Sequence, residues 1–420
     1  MKRTSAIKVA ATAMGAVLLA AACSEGSADT GSGGEPADPE EVSGDVTFWF
    51  YPIGVSGEAS WWEPHIEAFN EEYPNVNIDA VPQSFSNRED SLVTAVAGNN
   101  APDVVYFNPD FIPQWAEEDL LLPLDDLRDD WDDFYDSSLD SMSWEGTLYG
   151  APLLMQMMTS YCNADALEAA DVECPTTWDE FREAAPAFKE AGYYPTEYQG
   201  TTTLNHTYYP FLWQAGGQVL SDDLQSAAFN SPEGLEALEF VKEMVDNEWV
   251  PQQPLTVNEP FEQTPIGRAE VGYVRGANLT QTREVVDPEL IEVVPPMSNE
   301  EQVASGSVGA WSIFNTTESP EAAKAWVRFL SSEDFIATFN EETGYLPPRE
   351  SIDYLFEDDP QTAQGMEYLD TVRVGVMHPQ ARQIIDVIRP HIQSVLVEGN
   401  DPQAALDAAE EDVNELLARG

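Results

Sequence analysis

The sequence predicts an α/β protein of two lobes, and three observations support this prediction. The chain has 420 residues, which is too long for one ordinary hydrophobic core, so two lobes of roughly 150 to 200 residues are expected. Between residues 45 and 107, β-rich runs alternate with helical patterns, as is typical of a parallel sheet covered by helices. The apolar stretch Trp144–Asn163 separates two acidic, helix-rich regions, which indicates a strand that crosses between the lobes.

The crossing stretch contains one polar side chain that needs an explanation. Gly146 and Gly150 permit tight turns ahead of it, and Pro152 favours an extended conformation at the residue before it. The run LLMQMMTSYCN that follows places Gln156 among leucine and methionine, and a buried amide needs a hydrogen-bond partner. Two interpretations remain open: backbone carbonyls satisfy the amide inside a core, or it faces a cleft and binds a ligand.

The first lobe is predicted to begin with three parallel strands and two helices. The predicted strands are Asp45–Tyr51, Val76–Val81 and Ala101–Phe107; one helix is capped by Ser60 and stops at Pro74, and the other covers Arg88–Ala97 and ends at Gly98. In such sheets ligands bind beyond the carboxyl ends of the strands. We therefore expect Tyr51, Asn108 and Asp110 to lie beside a ligand.

The rest of the chain continues the mixture of helices and strands. The predicted elements are an acidic helical region Trp115–Asp140, a helix opened by a capping box of Thr177 and Glu180, a helix Pro232–Val245, strands Gly267–Val274, Val293–Pro296 and Val308–Phe314, and an amphipathic helix Pro320–Leu330. Pro390 is expected to interrupt one of the helices that follow.

The N-terminus has the pattern of a lipoprotein signal. Three basic residues precede the apolar segment Val9–Ala22, which is too short to span a membrane, and the segment ends in LAAAC. This ending resembles the lipobox of bacterial lipoproteins, in which Cys23 is lipidated and becomes the mature N-terminus. Residues 1–22 are the predicted signal peptide, and residues 23–43 are a predicted flexible tether. The acyl chains would anchor the protein to a membrane.

The chain is strongly acidic. It has 18 lysines and arginines against 76 aspartates and glutamates, a formal net charge of −58. Such a field repels phosphate backbones, which excludes nucleic acid and a second membrane surface as partners. Two explanations of the charge remain open: a protein adapted to stay soluble in high salt, or an acidic surface without environmental meaning.

Two cysteines remain if Cys23 is lipidated. Outside the cytoplasm Cys162 and Cys174 are expected to pair, although two buried free thiols are the other interpretation. The chain has no CxxC motif, and four histidines are too few to suggest a zinc cluster.

A series of short motifs occurs in a characteristic order along the chain. The motifs are GTLYGAP, YCN, PTTWDEF, WQAGG, GAWSIF, SPEAAKAWVRFLSSEDF, GYLPPR and DPQAALDAAEEDVNELL, between residues 146 and 417. Their order and spacing resemble the extracellular solute-binding proteins of ABC importers, of the sugar-binding family 1 type. The resemblance implies a periplasmic-binding-protein-like α/β fold whose two lobes are discontinuous and joined by hinge strands. The expected lobes are residues 44–153 plus 306–345 and residues 154–305 plus 346–420.

The resemblance also implies a function and its partners. The expected protein is a monomeric extracytoplasmic lipoprotein, anchored to the cell membrane through Cys23, that captures a sugar or oligosaccharide between its lobes. It would deliver this ligand to the permease subunits of an ABC transporter, with no cofactor, no metal and no catalytic residues. Two alternatives remain: a binder of a cationic solute or metal on the same fold, for which Asp110 or the pair Tyr208 and Tyr209 would matter, and a secreted glycosidase.

Ligand-binding positions can be transferred from the family residue by residue. The expected set is Trp49, Tyr51, Phe107, Asn108, Asp110, Gln156, Tyr208, Tyr209, Arg275, Asn278 and Trp311, with His206 beside the tyrosine pair. Ala310 stands where a glycine is usual, which narrows the approach to Trp311. The segment Val274–Asn278 lacks the tryptophan common there, so Arg275 or Asn278 is expected to supply hydrogen bonds. Aromatic faces would bind the apolar face of a pyranose, while amides and carboxylates would bind its hydroxyls.

Overall fold

The computed structural model describes residues 38–419. The predicted signal peptide, Cys23 and most of the predicted tether therefore lie outside the described residues. Within residues 38–419, no helix combines the length and the apolar character that a membrane crossing requires.

Strands and helices alternate through most of the described chain. The strands are β1 (Gly44–Phe50), β2 (Val76–Pro82), β3 (Val104–Phe107), β4 (Ser143–Trp144), β5 (Thr147–Leu148), β6 (Ala151–Met157), β7 (Thr159–Asn163), β8 (Tyr273–Ala277), β9 (Ile291–Val293), β10 (Ala304–Ile313) and β11 (Val372–Arg373). The helices are α1 (Ala59–Glu72), α2 (Arg88–Ala97), α3 (Ile112–Glu117), α4 (Asp136–Ser141), α5 (Ala164–Ala170), α6 (Trp178–Glu190), α7 (Tyr208–Gln214), α8 (Pro232–Asp246), α9 (Leu279–Arg283), α10 (Pro320–Leu330), α11 (Glu333–Thr343), α12 (Pro360–Met366), α13 (Ala381–Glu398) and α14 (Pro402–Leu417).

The first sheet contains the three strands predicted at the start of the chain. Its order is β11-β10-β3-β1-β2, with β6 also paired to β10. β1 is parallel to β2 and β3, as predicted, whereas β10 is antiparallel to β3 and β6. The parallel arrangement brings the carboxyl ends of β1, β2 and β3 to one edge of the sheet.

The predicted crossing strand is confirmed as two consecutive strands, β6 and β7. β6 pairs with β10 in the first sheet as far as Met157. After Met158, whose N–H donates to the carbonyl of Ser305 at 2.9 Å, β7 lies between β8 and β9 in a separate antiparallel sheet. The chain therefore passes from one sheet to the other within about two residues, next to the start of β10.

The described residues form two main hydrophobic cores, one around each sheet. The first core draws on residues 42–155 and 308–352, and the second on residues 162–303 and 384–413. β7 alternates between two clusters, because Cys162 faces the second core and Tyr161 packs in a smaller cluster on the other side of the sheet. This is the two-lobe fold that the sequence predicted; the exact lobe boundaries stay predictions.

Two helical predictions were wrong because contacts distant in sequence decide the conformation. The acidic region around residues 115–140 is not one helical stretch: Pro123 cannot continue a helix, and the N–H of Leu122 donates to the carbonyl of Ile313 at 2.8 Å. Conversely, α13 continues through Pro390, because Ile388 and Ile392 on either side of it are buried in the second core.

Other predictions need small corrections at element ends. α1 begins at Ala59, so Ser60 is inside the helix and is not its cap. β8 begins only at Tyr273, six residues later than the strand predicted from Gly267. Thr177 does cap α6 by accepting from the Glu180 N–H at 3.2 Å, but the Glu180 carboxylate accepts from the N–H of Thr176 and not from that of Thr177.

Candidate functional site

A cavity of about 310 Å³ lies where the carboxyl ends of the parallel strands face residues of the second lobe. Its volume is at the lower end of the range typical of small-molecule sites. The lining from the first lobe includes Phe85, Arg88, Tyr106, Asn108, Asp110, Phe111 and Gln156, and that from the second lobe includes Thr203, Asn205, His206 and Arg382. We refer to this cavity as the cleft.

Arg88 is the most buried charged group of the cleft, with 7% of its surface exposed. Its Nη1 donates to Oδ1 of Asn108 at 2.8 Å, and its Nη2 donates to the carbonyl of Tyr106 at 2.7 Å. The guanidinium carbon lies 4.9 Å from the ring centroid of Tyr51 and 4.1 Å from that of Phe111. These contacts hold the guanidinium in one orientation at the cleft wall.

Asn108 lines the cleft as predicted, but its own amide is largely occupied. Its Nδ2 donates to Oγ of Ser307 at 3.1 Å and to the carbonyl of Val308 at 3.0 Å, while its Oδ1 accepts from Arg88. Asn108 therefore ties the end of β3 to β10 and positions the Arg88 guanidinium.

Asp110 also lines the cleft, where it forms an ion pair that joins the two lobes. Nη1 of Arg382, on α13 of the second lobe, donates to Oδ2 of Asp110 at 2.8 Å. The Nε of Arg382 donates to Oε2 of Glu89 at 2.8 Å, and its guanidinium carbon lies 4.6 Å from the ring centroid of Phe111. Sequence reasoning missed Arg382, because nothing near Pro390 indicates which lobe faces this turn of the helix.

Gln156 faces the cleft, which decides between the two interpretations of its burial. It is partly exposed on β6 between the buried Met155 and Met157, and it lines the cleft together with Leu154. Its side-chain amide has no hydrogen-bond partner within residues 38–419, so its donors and acceptor are available to a ligand.

The aromatic side chains of the cleft are different from those expected. Phe85 is 44% exposed and stacks on Tyr51, with ring centroids 4.9 Å apart and an interplanar angle of 26°. Tyr345 is partly exposed and lines the cleft beside Gln156. Phe85 follows β2, so the rule that placed Asn108 and Asp110 beyond β3 could have found it if it had been applied to the second strand.

The two tryptophans expected to stack on a ligand do not line the cleft. Trp311 is 1% exposed in the first core, where its ring packs 4.9 Å from that of Phe48 and 5.6 Å from that of Tyr106. Trp49 packs against the same core from its other side of β1. The stacking assignments of these residues are corrected: the alternation of β10 directs Trp311 to the helices that cover the sheet and away from the ligand.

Tyr51 and Phe107 lie one layer behind the cleft wall. Tyr51 is 1% exposed and supports Phe85 and Arg88, and burial raises the pKa of its phenol. Phe107 is fully buried and stacks on Phe111 with ring centroids 5.2 Å apart. Both therefore shape the wall without contacting a ligand in this conformation.

The tyrosine pair of the second lobe is also internal. Tyr208 and Tyr209 are 0% and 1% exposed, and the hydroxyl of Tyr208 donates to the carbonyl of Gly234 at 2.9 Å. Burial raises the pKa of both phenols. Their expected role as ligand contacts is corrected, because α7 carries them into the second core.

Arg275 and His206 line a second, smaller cavity of about 60 Å³ in the second lobe. Nη1 of Arg275 donates to the carbonyl of His206 at 2.9 Å, and Glu197 is a further lining residue. Burial and the charge of Arg275 lower the pKa of His206 to about 4, so its imidazole is neutral at physiological pH. Of these residues His206 also reaches the cleft, whereas Arg275 lies behind it.

Asn278 lies outside the cleft, beside a narrow cavity of about 30 Å³ near the crossing strands. Its Oδ1 accepts from the N–H of Gln281 and so caps α9. Gln156 and Tyr345 line both this cavity and the cleft. Asn278 is therefore a helix cap close to the hinge, and the expected ligand contact is not present.

Cys162 and Cys174 form a disulfide in the structure. The bond joins the end of β7 to the segment that precedes α6. It closes a loop of 12 residues that contains α5.

The sequence profile of the bacterial extracellular solute-binding proteins matches residues 54–335, about two thirds of the chain. The chain belongs to this family. Members are binding proteins that act outside the cytoplasm, so this solute-binding protein has the general role and location that the motif order predicted. The matched region contains both crossing strands and most of the cleft.

Individual relatives agree with the family assignment. A protein of Brucella abortus described as a candidate binding protein is 23% identical over 375 residues, which cover 86% of this chain and 90% of the relative. The maltodextrin-binding protein of Bacillus subtilis is 22% identical over 310 residues, 70% of this chain and 72% of the relative. The solute-binding protein of an ABC transporter from Thermotoga lettingae, solved with α-D-tagatose, is 24% identical with a TM-score of 0.76 and covers 89% of this chain and all of its own. At this identity the solved structure shows a common fold.

Proposed function

We propose that this solute-binding protein captures a sugar or oligosaccharide in the cleft and delivers it to the permease of an ABC transporter. The observation that carries the proposal is the combination of the unpaired Gln156 amide with the exposed rings of Phe85 and Tyr345 in one cavity of about 310 Å³. Amides bind sugar hydroxyls, and aromatic faces bind the apolar face of a pyranose. The maltodextrin-binding and tagatose-bound relatives support the same ligand class.

The proposal includes the anchor and the state of the protein. A lipidated Cys23 would hold the monomer at the outer face of the cell membrane, supported by the basic residues, the apolar segment and the LAAAC ending of the N-terminus. The permease partner is supported by the family to which the chain belongs.

The cationic alternative is disfavoured by the charges of the cleft. The carboxylate of Asp110, on which this alternative depended, already accepts from Arg382. Arg88 and Arg382 are both positive and both line the cavity, so they repel a cation. Tyr208 and Tyr209, the expected iron ligands, are buried in the second core.

The glycosidase alternative lacks the arrangement it needs. Glycoside hydrolysis requires two carboxyl groups on either side of the scissile bond, and among the described residues that line the cleft Asp110 is the carboxylate present. Its pairing with Arg382 leaves it unsuited to donate a proton. The proposed function is therefore binding without catalysis.

A carbohydrate library screened by thermal shift tests the proposal. A true ligand raises the melting temperature by mass action, and calorimetry then gives its affinity. Phe85→Ala should weaken that ligand by about two- to tenfold through lost stacking. Val93→Ala is the matched control, because Val93 is a similarly exposed side chain on α2 that does not line the cleft. Equal affinities of wild type and Phe85→Ala would refute the stacking role, and a library without any hit would refute the function.

A further inference from the structure

The charge of the cleft is opposite to that of the chain, and this contrast refines the proposed function on which it rests. The chain has 18 basic and 76 acidic residues. The charged side chains that line the cleft are nevertheless two guanidinium groups, Arg88 and Arg382, and one carboxylate, Asp110. The wall that would contact a ligand is therefore positive inside a strongly negative protein.

Arg88 is a buried cation without a paired anion. None of the ion pairs among residues 38–419 includes it, and Asp110, the nearest carboxylate of the cleft, binds Arg382. Of the five N–H donors of a guanidinium, two are used by Asn108 and the carbonyl of Tyr106, and Nε is buried without a partner. Arg349 shows the usual solution in the same lobe: it is equally buried and pairs with Asp133.

Burying an unpaired charge is unfavourable, so the arrangement needs a compensating group. Arg88 and Arg382 come from different lobes, and both guanidinium carbons lie near the ring of Phe111, at 4.1 Å and 4.6 Å from its centroid. Bringing the lobes together therefore brings two positive charges together. Asp110 offsets one of them.

We propose that the cleft selects a sugar or oligosaccharide that carries an anionic group, a carboxylate, phosphate or sulfate, and that this group binds Arg88. The guanidinium is already fixed between the rings of Tyr51 and Phe111, so its remaining donors are available to oxygen acceptors with little loss of side-chain entropy. The anion supplies the charge that the protein lacks. It also lowers the repulsion between Arg88 and Arg382, so it favours the closed arrangement of the lobes.

The test compares acidic sugars with their neutral counterparts on the purified protein. The probes are D-glucose against D-glucuronate and glucose 6-phosphate, D-galactose against D-galacturonate and galactose 6-sulfate, and maltotetraose against tetragalacturonate, at constant ionic strength. Thermal shift identifies the binders, and calorimetry measures their affinities. The carboxylate, phosphate and sulfate probes distinguish the three sources of charge. We expect acidic members to bind more tightly than neutral ones.

Substitution of Arg88 links this preference to the guanidinium. Arg88→Gln should weaken the acidic binder by at least about tenfold, because charge-assisted hydrogen bonds are lost, and should change a neutral sugar much less. Arg349→Gln is the matched control: it removes a buried, ring-stacked arginine outside the cleft and should leave the preference unchanged. Asp110→Asn, which removes the cleft carboxylate, should tighten acidic binders. A purely structural Arg88 would not produce this gain.

The outcomes separate the inference from the function it refines. Neutral sugars that bind while acidic ones do not would overturn the anionic preference and leave the sugar-binding function standing. An acidic binder whose affinity is unaffected by Arg88→Gln would also overturn it. If neither neutral nor acidic carbohydrates bind, the proposed function fails and the inference fails with it.

Discussion

Arg382 joins the lobes in the absence of a ligand, and its replacement by glutamine should open the protein. Arg382 lies on the second lobe, and its partners Asp110, Glu89 and Phe111 belong to the first. The substitution keeps a polar side chain of similar length and removes the charge. The closed arrangement of the lobes should then lose these contacts without a change in either core.

The size of the effect follows from the exposure of the partners. The side chain of Asp110 is 17% exposed, and Arg382 itself is 37% exposed, so solvent screening reduces this pair to about 1 kcal/mol. Glu89 is 46% exposed, so its pair contributes about 0.5 kcal/mol, and the contact with the Phe111 ring a similar amount. Together these contacts are worth about 2 kcal/mol, which changes the ratio of closed to open molecules by about thirtyfold.

Small-angle scattering of the ligand-free protein measures this change directly. Arg382→Gln should have a larger radius of gyration than the wild type, and Asp110→Asn should lie between them. Arg389→Gln is the control, because Arg389 lies on the same helix and pairs with Asp386 of that helix at 3.3 Å. If Arg382→Gln and the wild type give the same scattering profile, the ion pairs do not hold the lobes together and the reasoning is refuted.

Two further predictions concern stability. Replacing Cys162 and Cys174 by serine removes a cross-link over 12 residues, which should cost about 3 kcal/mol and lower the melting temperature by roughly 6–10 °C, as calorimetry would detect; an unchanged melting temperature would contradict a stabilising disulfide. His206 should make the protein less stable in acid: its pKa is lowered to about 4 by burial and Arg275, so between about pH 6.5 and pH 4 the unfolded state binds a proton that the folded state does not, and stability falls as the pH falls through this window. Relative to His206→Gln, the wild type should lose about 2 kcal/mol in urea unfolding between pH 7 and pH 4.5, and parallel pH profiles of the two proteins would rule out this role of His206.

The local elements of the first lobe were predictable because short-range patterns specify them. β1, β2 and α2 were predicted nearly to the residue, since each combines a clear periodicity with a terminating turn or glycine. The positions of Asn108 and Asp110 followed from the rule for parallel sheets. Gln156 was identified as the one polar residue of an apolar strand, although its direction could not be read from the sequence.

The errors fall where the direction of a side chain or a distant contact decides. Trp311 and the tyrosine pair were expected at the ligand because they are aromatic residues in the right motifs. The sequence does not say which face of β10 or α7 meets the core, and the structure buries all three. Arg382 was missed for the converse reason: it becomes a cleft residue only because α13 returns across the lobe boundary, more than 270 residues after Asp110.

The sequence by itself therefore determined the fold class, the crossing strand, the family and the edge of the sheet where a ligand would bind. These depend on hydrophobic periodicity, turn residues and motif order, all of which are local or additive along the chain. Tertiary structure alone decided which aromatic rings are exposed, that Gln156 is unpaired, and that Arg88 is a buried cation facing Arg382 of the other lobe. Burial and charge pairing are properties of residues brought together from distant parts of the chain, and no local pattern encodes them.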